Sequence, residues 1–164
     1  MLNSHTPVAA PSAPRQRNTL IRHILQTKSH REAISIERTA PLLRAIDVMC
    51  DARVGALLVV DRGRPVGMIS ERDLMTRVLL MRRDPAMTNV ADVMTPDVVA
   101  VSADARPEEV MAIMTERRCR HLPVVDDDSI IGIISIGDVV RWASSSQEVQ
   151  IRMLEDYISG KYPG

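Results

Sequence analysis

The sequence predicts an α/β fold in which two similar halves, each with the element order β-α-β-β-α, pack their small sheets together about a pseudo-two-fold axis. The main observation is an internal repeat: after a shift of 65 residues, positions 34–73 align without a gap on 99–138, and eleven of these 40 positions are identical. Each half also contains two short apolar runs separated by a polar turn, as in a β-hairpin, and apolar residues at helical spacing. One such unit cannot bury all its apolar surface alone, so we expect the halves to share a core.

The first half shows these elements in order. Its first helix is indicated by apolar residues at helical spacing, among them Leu42, Ala45 and Met49. Pro41 stands where the first turn of a helix tolerates proline. The remaining predicted bounds are 33–36 for the first strand, 56–60 and 65–69 for the strands of the hairpin, and 71–81 for the second helix.

The second half repeats this order. Its strands are predicted at 98–101, 122–125 and 130–134, and its second helix at 136–143. Short helical turns at 20–25 and 90–94 introduce the two halves, and apolar residues at helical spacing after residue 144 predict one more helix. The predicted division of the chain is a disordered N-terminal tail at 1–18, a first motif at 19–83, a second motif at 84–145, and a C-terminal helix and tail at 146–164.

Composition narrows the possible functions. Lys and Arg equal Asp and Glu at 21 each, so the net charge is zero and no overall field favours nucleic acid or an anionic membrane. The chain has no Phe, one Trp and two Tyr, too few for aromatic stacking on bases. No apolar run is long enough to span a membrane. The two cysteines form no CxxC pair and suit a reducing compartment, which we expect to be the cytoplasm. The four histidines lack metal-binding spacing, so we expect no metal site.

The identities between the halves are concentrated where each hairpin leads into its second helix. Across 57–73 and 122–138, eight of 17 positions agree, including Ser70 with Ser135 and Asp73 with Asp138. A Ser-x-x-Asp sequence before an apolar helix is typical of a capping box. The same helix N-terminus can also bind an anionic ligand. The residues alone leave both interpretations open.

These segments resemble the signature of CBS motifs, and two tandem motifs resemble the unit called a Bateman module. The resemblance rests on the sequence Arg-His-Leu-Pro-Val-Val-Asp at 120–126, followed by Gly-Ile-Ile-Ser-Ile-Gly-Asp at 132–138, and on the matching segments 55–61 and 67–73. It covers about residues 20–145. The segment 157–163 resembles the ending of small bacterial proteins that consist only of such a pair.

The resemblance implies an adenosine-type ligand, such as AMP, ADP, ATP, S-adenosylmethionine or an NAD-like compound, bound in a cleft between the motifs. It implies that Asp73 and Asp138 accept hydrogen bonds from the two ribose hydroxyls, a task that suits the two oxygens of a carboxylate. It places the hydroxyls of Ser70 and Ser135 beside the ligand, at a helix N-terminus that favours phosphate.

The two implied sites are unlike. Arg72 stands beside Asp73 and is expected to neutralise phosphate charge, whereas Gly137 takes the corresponding position in the second half. We expect Arg120 and His121 to supply the missing cation to the second site. Two further arginines in matching register, Arg53 and Arg118, are expected to border the clefts.

The implied function is that of a non-catalytic regulatory module that signals through a change of shape. The family resemblance also implies a homodimer and an unknown protein target. Three alternatives remain open: a scaffold with empty clefts, an enzyme that transforms nucleotides, and, least favoured given the zero net charge, a nucleic-acid-binding protein. Ligand binding separates the first alternative from the regulatory module, and turnover of nucleotides would reveal the second.

Overall fold

Two small mixed sheets form the framework of the protein in a computed structural model that describes residues 19–144 together with 151, 155 and 159. The predicted N-terminal tail and most of the predicted C-terminal helix lie outside these residues. The strands are β1 (Ser35–Glu37), β2 (Ala56–Asp61), β3 (Arg64–Ser70), β4 (Thr95–Pro96), β5 (Val101–Ser102), β6 (His121–Asp126) and β7 (Ser129–Ser135). One sheet has the order β1-β2-β3-β4 and the other β5-β6-β7.

The two sheets share one plan. In each, a parallel pair (β1 with β2, β5 with β6) is followed by an antiparallel hairpin (β2 with β3, β6 with β7). The helices are α1 (Ile21–Gln26), α2 (Leu42–Ala52), α3 (Glu71–Asp73), α4 (Val90–Val93), α5 (Pro107–Arg117) and α6 (Ile136–Ala143). The predicted α/β fold with two tandem β-α-β-β-α units is thereby confirmed.

The structure differs from the prediction in three places. The helix predicted at 71–81 is α-helical only over α3 and continues as a π-helical segment, Leu74–Leu79. Within it the Thr76 hydroxyl donates to the carbonyl of Arg72 at 2.8 Å, a bond that competes with the α-helical ladder. Strand β4 was not predicted because two residues ending in proline carry no strand pattern. Strands β1 and β5 each lie further along the chain than predicted.

Alternate residues of the hairpin strands serve different cores, which explains their unbroken apolar runs. Leu57 and Val59 of β2 pack with the helices of the first half, and Leu122 and Val124 of β6 do the same in the second half. The intervening side chains of the first sheet meet the second sheet in a third apolar cluster. Its members are Ala56, Leu58, Val60 and Met68, with Ala33, Val98, Ile130 and Ile133 packed against them.

Helix α1 packs on the second half although it precedes the first in the chain. Ile21 and Ile24 are buried in the core of the second half. Arg22 forms ion pairs with Asp104 at 2.7 Å and with Asp126 at 3.2 Å. The segment that follows α1 is therefore held beside the hairpin β6–β7.

Helices α2 and α5 both end at an arginine in the left-handed region. The φ angle is 53° at Arg53 and 51° at Arg118. Most helices that end this way use glycine, because an L side chain at positive φ is strained. Each arginine begins a segment that leads directly into a hairpin strand, and these two segments form walls of two clefts.

Candidate functional site

Two clefts lie between the halves of the chain. One has a volume of about 830 Å³ and is lined by Asp138, so we call it the Asp138 cleft. The other, of about 590 Å³, is lined by Asp73 and is called the Asp73 cleft. Gly55, His121 and Ser135 line both clefts, so the two share a wall.

Each cleft takes its aspartate from one half and its opposite wall from the other half. Residues 53–56 line the Asp138 cleft, and residues 118–121 line the Asp73 cleft. These segments are related by the same shift of 65 positions that relates the two aspartates. The clefts are therefore equivalent under the pseudo-two-fold relation, and neither half contains a complete one.

Both aspartates make the helix-capping contacts expected of Ser-x-x-Asp. Oδ2 of Asp73 accepts from the backbone N–H of Ser70 at 2.8 Å and from its hydroxyl at 3.0 Å. Oδ2 of Asp138 accepts the two corresponding bonds from Ser135, each at 2.8 Å. The cap uses one oxygen of each carboxylate, so a cap and a ligand contact are compatible at the same residue.

The carboxylate of Asp138 has further strong partners within the chain. Lys28 Nζ lies 2.7 Å from Oδ2, and a guanidinium nitrogen of Arg141 lies 2.5 Å from Oδ1. The side chain of Asp138 is only 3% exposed. Burial opposes its ionisation, but the hydrogen bonds from Lys28 and Ser135 outweigh that effect and lower the pKa of Asp138. Both oxygens are thus engaged in short contacts with donors.

Asp73 has weaker partners at its second oxygen. Oδ1 lies 3.4 Å from the Thr95 hydroxyl and 3.6 Å from Nε of Arg77. The first distance is long for an O–H···O bond, and the second exceeds an ordinary hydrogen bond. Oδ1 of Asp73 can therefore accept a further hydrogen bond, whereas Oδ1 of Asp138 already accepts a short one from Arg141.

Arg72 and Arg120 line the same cleft. Arg72 lines the Asp73 cleft, where it donates to the carbonyl oxygen of Arg118 in the other half at 3.2 Å. The expectation that Arg120 supplies a cation to the Asp138 site is not met, because Arg120 lines the Asp73 cleft. The reason is that each cleft combines the aspartate of one half with a segment of the other half, an arrangement that we call the exchange of walls. Residues 118–121 therefore face Asp73.

The Asp73 cleft is the more cationic of the two. Five arginines and two acidic residues line it: Arg72, Arg77, Arg117, Arg118 and Arg120, with Glu71 and Asp73. The Asp138 cleft is lined by three residues of fixed positive charge and two acidic ones: Lys28, Arg53 and Arg141, with Glu32 and Asp138. Low-dielectric walls focus such charge, so an anionic group is favoured more strongly in the Asp73 cleft.

His121 stands in the shared wall. A β-carbon built on Gly55 would lie 3.1 Å from Nε2 of His121, so the absence of a side chain at Gly55 makes room for the imidazole. Burial, reinforced by the positive charges of Arg120 and Lys28 and opposed by Asp138, lowers the pKa of His121 to about 4. The imidazole is therefore neutral at physiological pH.

Sequence reasoning missed four of the cations that line the clefts, namely Lys28, Arg77, Arg117 and Arg141. Lys28 lies 110 positions before Asp138, outside the aligned repeat, and no local pattern connects the two residues. Arg77 was detectable, because it follows Asp73 by four positions on a predicted helix, where ion pairs form. Among the described residues, no group of three or more His, Cys, Asp or Glu side chains could hold a metal ion, and no helix could span a membrane.

Comparison with known proteins agrees with this architecture. The family model of the CBS domain matches residues 21–80 and 90–145. The mitochondrial CBS domain-containing protein CBSX3 of Arabidopsis thaliana is 36% identical over 123 residues, which are 72% of this chain and 60% of the plant protein. The matched region thus spans less than two thirds of that relative.

Two solved structures extend the comparison. A candidate signal-transduction protein with CBS domains from Burkholderia ambifaria is 37% identical, with a TM-score of 0.75 and coverage of 79% of this chain and 96% of that one. The CBS domain pair of protein MJ0100, in complex with 5′-methylthioadenosine and S-adenosyl-L-methionine, is 23% identical, with a TM-score of 0.66 and coverage of 76% and 98%. The second likeness shows the fold alone. Repeat, fold and family model agree, and the chain belongs to the CBS domain family as a tandem pair of CBS domains.

Proposed function

We propose that this CBS pair is a non-catalytic regulatory module that binds an adenosine-type ligand between its two halves. The observation that carries the proposal is the pair of equivalent clefts, each with an aspartate at a strand-to-helix junction and cations from the opposite half. A carboxylate suits the vicinal diol of a ribose, because its two oxygens can accept two donors. The adenosyl ligands of the MJ0100 pair support the same ligand class.

The Asp73 cleft is the one we expect to be occupied first. Oδ1 of Asp73 has only long contacts with Thr95 and Arg77, so a ribose hydroxyl can bind there at little cost. Arg72 and Arg120 line the same cleft and can neutralise phosphate oxygens. We therefore expect affinity in this cleft to rise from adenosine to AMP and further to ADP and ATP, and to weaken with added salt.

Thermal unfolding of the full chain with AMP, ADP, ATP, S-adenosylmethionine, 5′-methylthioadenosine and NAD tests this proposal. A ligand present at 100 times its Kd should add about 2.7 kcal/mol to the free energy of unfolding. Asp73→Asn should abolish most of this shift, because the amide offers one acceptor in place of a carboxylate. Asp138→Asn is the matched control, since it alters the equivalent residue of the other cleft.

The outcomes separate the alternatives. A shift that Asp73→Asn removes and Asp138→Asn keeps supports a sensor that works through the Asp73 cleft. If no compound stabilises the wild type while both variants only lower its stability, both aspartates are helix caps. The chain would then be a scaffold, and the proposal of a ligand sensor would be withdrawn.

Signalling by such a module requires a second state or a second molecule that responds to the ligand. We propose that this molecule is a second copy of the chain and that the π-helical segment forms the contact. Large apolar side chains are exposed along this segment and just after it: Met75 at 52%, Leu79 at 68%, Leu80 at 75% and Met81 at 63%. An exposed apolar patch on a monomer usually marks an interface. An unknown protein target would then respond to the state of the homodimer.

Leu79→Glu is expected to convert the homodimer into a monomer, because two carboxylates would be buried in a symmetric contact. Sedimentation velocity measures the change. Val99→Glu is the matched control: it adds the same charge at an exposed apolar residue outside the segment, and we expect it to leave the dimer intact. A wild-type chain that sediments as a monomer would overturn the homodimer proposal.

A further inference from the structure

Lys28 occupies the Asp138 cleft with its own ammonium group. Nζ lies 2.7 Å from Oδ2 of Asp138 and 2.6 Å from the carbonyl oxygen of Ile133. The Lys28 side chain is only 21% exposed, and it lines the cleft. The ammonium is thus held inside the cleft, against the same oxygen of Asp138 that accepts from Ser135.

Among the described residues, no cation lies as close to the Asp73 carboxylate, where Arg77 Nε is 3.6 Å from Oδ1. Lys28 precedes the aligned repeat of the first half, and residues 84–98, which precede the aligned repeat of the second half, contain no lysine or arginine. Lys28 follows α1, which Arg22 ties to Asp104 and Asp126 of the second half. The segment after α1 therefore delivers an ammonium group to the carboxylate of Asp138.

Accessible acceptor capacity decides what the cleft can bind. Oδ2 of Asp138 already accepts from the backbone and hydroxyl of Ser135 and from Lys28, and Oδ1 accepts from Arg141. A carboxylate has about four lone-pair directions in all. A ribose diol brings two donors, so it can bind both oxygens only if Arg141 leaves Oδ1 and Lys28 leaves Oδ2. Arg141 is 75% exposed, whereas Lys28 is the less exposed donor and is supplied by a separate segment of the chain.

We propose that Lys28 is an intrachain competitor of the ligand, which keeps the Asp138 cleft closed to a diol while the Asp73 cleft stays open. This inference rests on the proposed function, because it concerns binding of the same class of ligand. A closed state that is populated about nine tenths of the time lowers the apparent affinity of the cleft about tenfold. One chain then offers one strong site and one weak site.

The first test is calorimetric titration of the full chain with AMP. The wild type is expected to bind one AMP tightly, in the Asp73 cleft. In Lys28→Met, the affinity of the Asp138 cleft for AMP is expected to rise about tenfold, so that a second site becomes measurable. Asp73→Asn combined with Lys28→Met isolates the new site. Lys28→Gln, which keeps a neutral donor, is a second variant in case Lys28→Met loses stability. Arg31→Met is the matched control, because it removes an exposed cation from the same segment.

The results also separate this inference from the proposed function. If Lys28→Met gains no site while the wild type binds one AMP, the competitor is overturned and the proposed function stands. If neither protein binds AMP, the competitor role of Lys28 and the proposed binding of AMP are both overturned. If Lys28→Met binds AMP more weakly in the Asp138 cleft, Lys28 is a phosphate ligand and the competitor is overturned.

A second test needs no ligand. The sequence contains only one other lysine, Lys161, so the rate at which acetic anhydride modifies Lys28 can be measured by peptide mass spectrometry with Lys161 as the reference for reagent dose. Lys28 is expected to react several times faster in Asp138→Asn than in the wild type, because its nitrogen is no longer held against a carboxylate. Equal rates in the two proteins would overturn the competitor whatever AMP does.

Discussion

Acidification from pH 6.5 to pH 4 is expected to lower the free energy of unfolding by about 3 kcal/mol through His121 alone. The pKa of His121 is lowered from 6.5 to about 4 in the fold, first by burial and then by Arg120 and Lys28. Each unit of such a shift corresponds to about 1.4 kcal/mol. Because the unfolded chain takes up the proton more readily than the folded one, the loss begins as pH falls below 6.5 and is complete near pH 4.

Urea denaturation of the wild type and of His121→Gln across this pH range measures the effect. The variant cannot be protonated at this position, so its stability should fall less steeply with pH. Comparison of the two slopes, and not of the two stabilities, removes any packing cost of the substitution at neutral pH. Parallel slopes would show that His121 does not titrate differently in the folded and unfolded chain.

Gly132→Ala is expected to lower the free energy of unfolding by about 1–3 kcal/mol, the usual effect of overpacking. A β-carbon at this position would lie 2.7 Å from the carbonyl oxygen of Arg31 and 3.2 Å from a methyl group of Leu25. The segment after α1 must then move away from β7. Since that segment carries Lys28, the same variant should also weaken the ion pair with Asp138.

Gly137→Ala is the matched control for this experiment. The nearest atom to its β-carbon would be the hydroxyl oxygen of Ser135 at 3.7 Å, an ordinary contact. Alanine within a helix is favoured over glycine by about 0.5–1 kcal/mol, so Gly137→Ala should be neutral or stabilising. Chemical denaturation of both variants checks the pair. Equal effects at the two positions would contradict the close approach of the Arg31 backbone to β7.

The repeat explains how much of the fold could be predicted. Both hairpins and α6 follow from apolar runs bounded by turns and from helical spacing, because residues such as Leu57 and Leu58 are buried on opposite faces of β2. The π-helical segment was beyond reach, since the apolar pattern of 71–81 fits an α-helix as well. Strand β4 depends on the close approach of Thr95 to Gly67 and has no pattern of its own.

The two Ser-x-x-Asp pairs of the candidate site could be predicted, but several of the cations around them and the grouping of all these residues into clefts could not. Ser70, Asp73, Ser135 and Asp138 stand out because the repeat preserves them. The cleft in which Arg120 lies depends on how one half is turned against the other, which no local pattern encodes. Contacts between distant segments, such as that of Lys28, are set by the tertiary fold alone.

The exchange of walls has a consequence for how this architecture can be divided or moved. A fragment with one half would keep one aspartate and lose the segment that faces it, so it would hold two incomplete clefts. It would also expose the apolar surface around Leu58 and Met68 that the other sheet now covers. The pair is therefore the smallest portion that can be moved into another protein with a complete cleft. Loss of either half leaves both clefts incomplete.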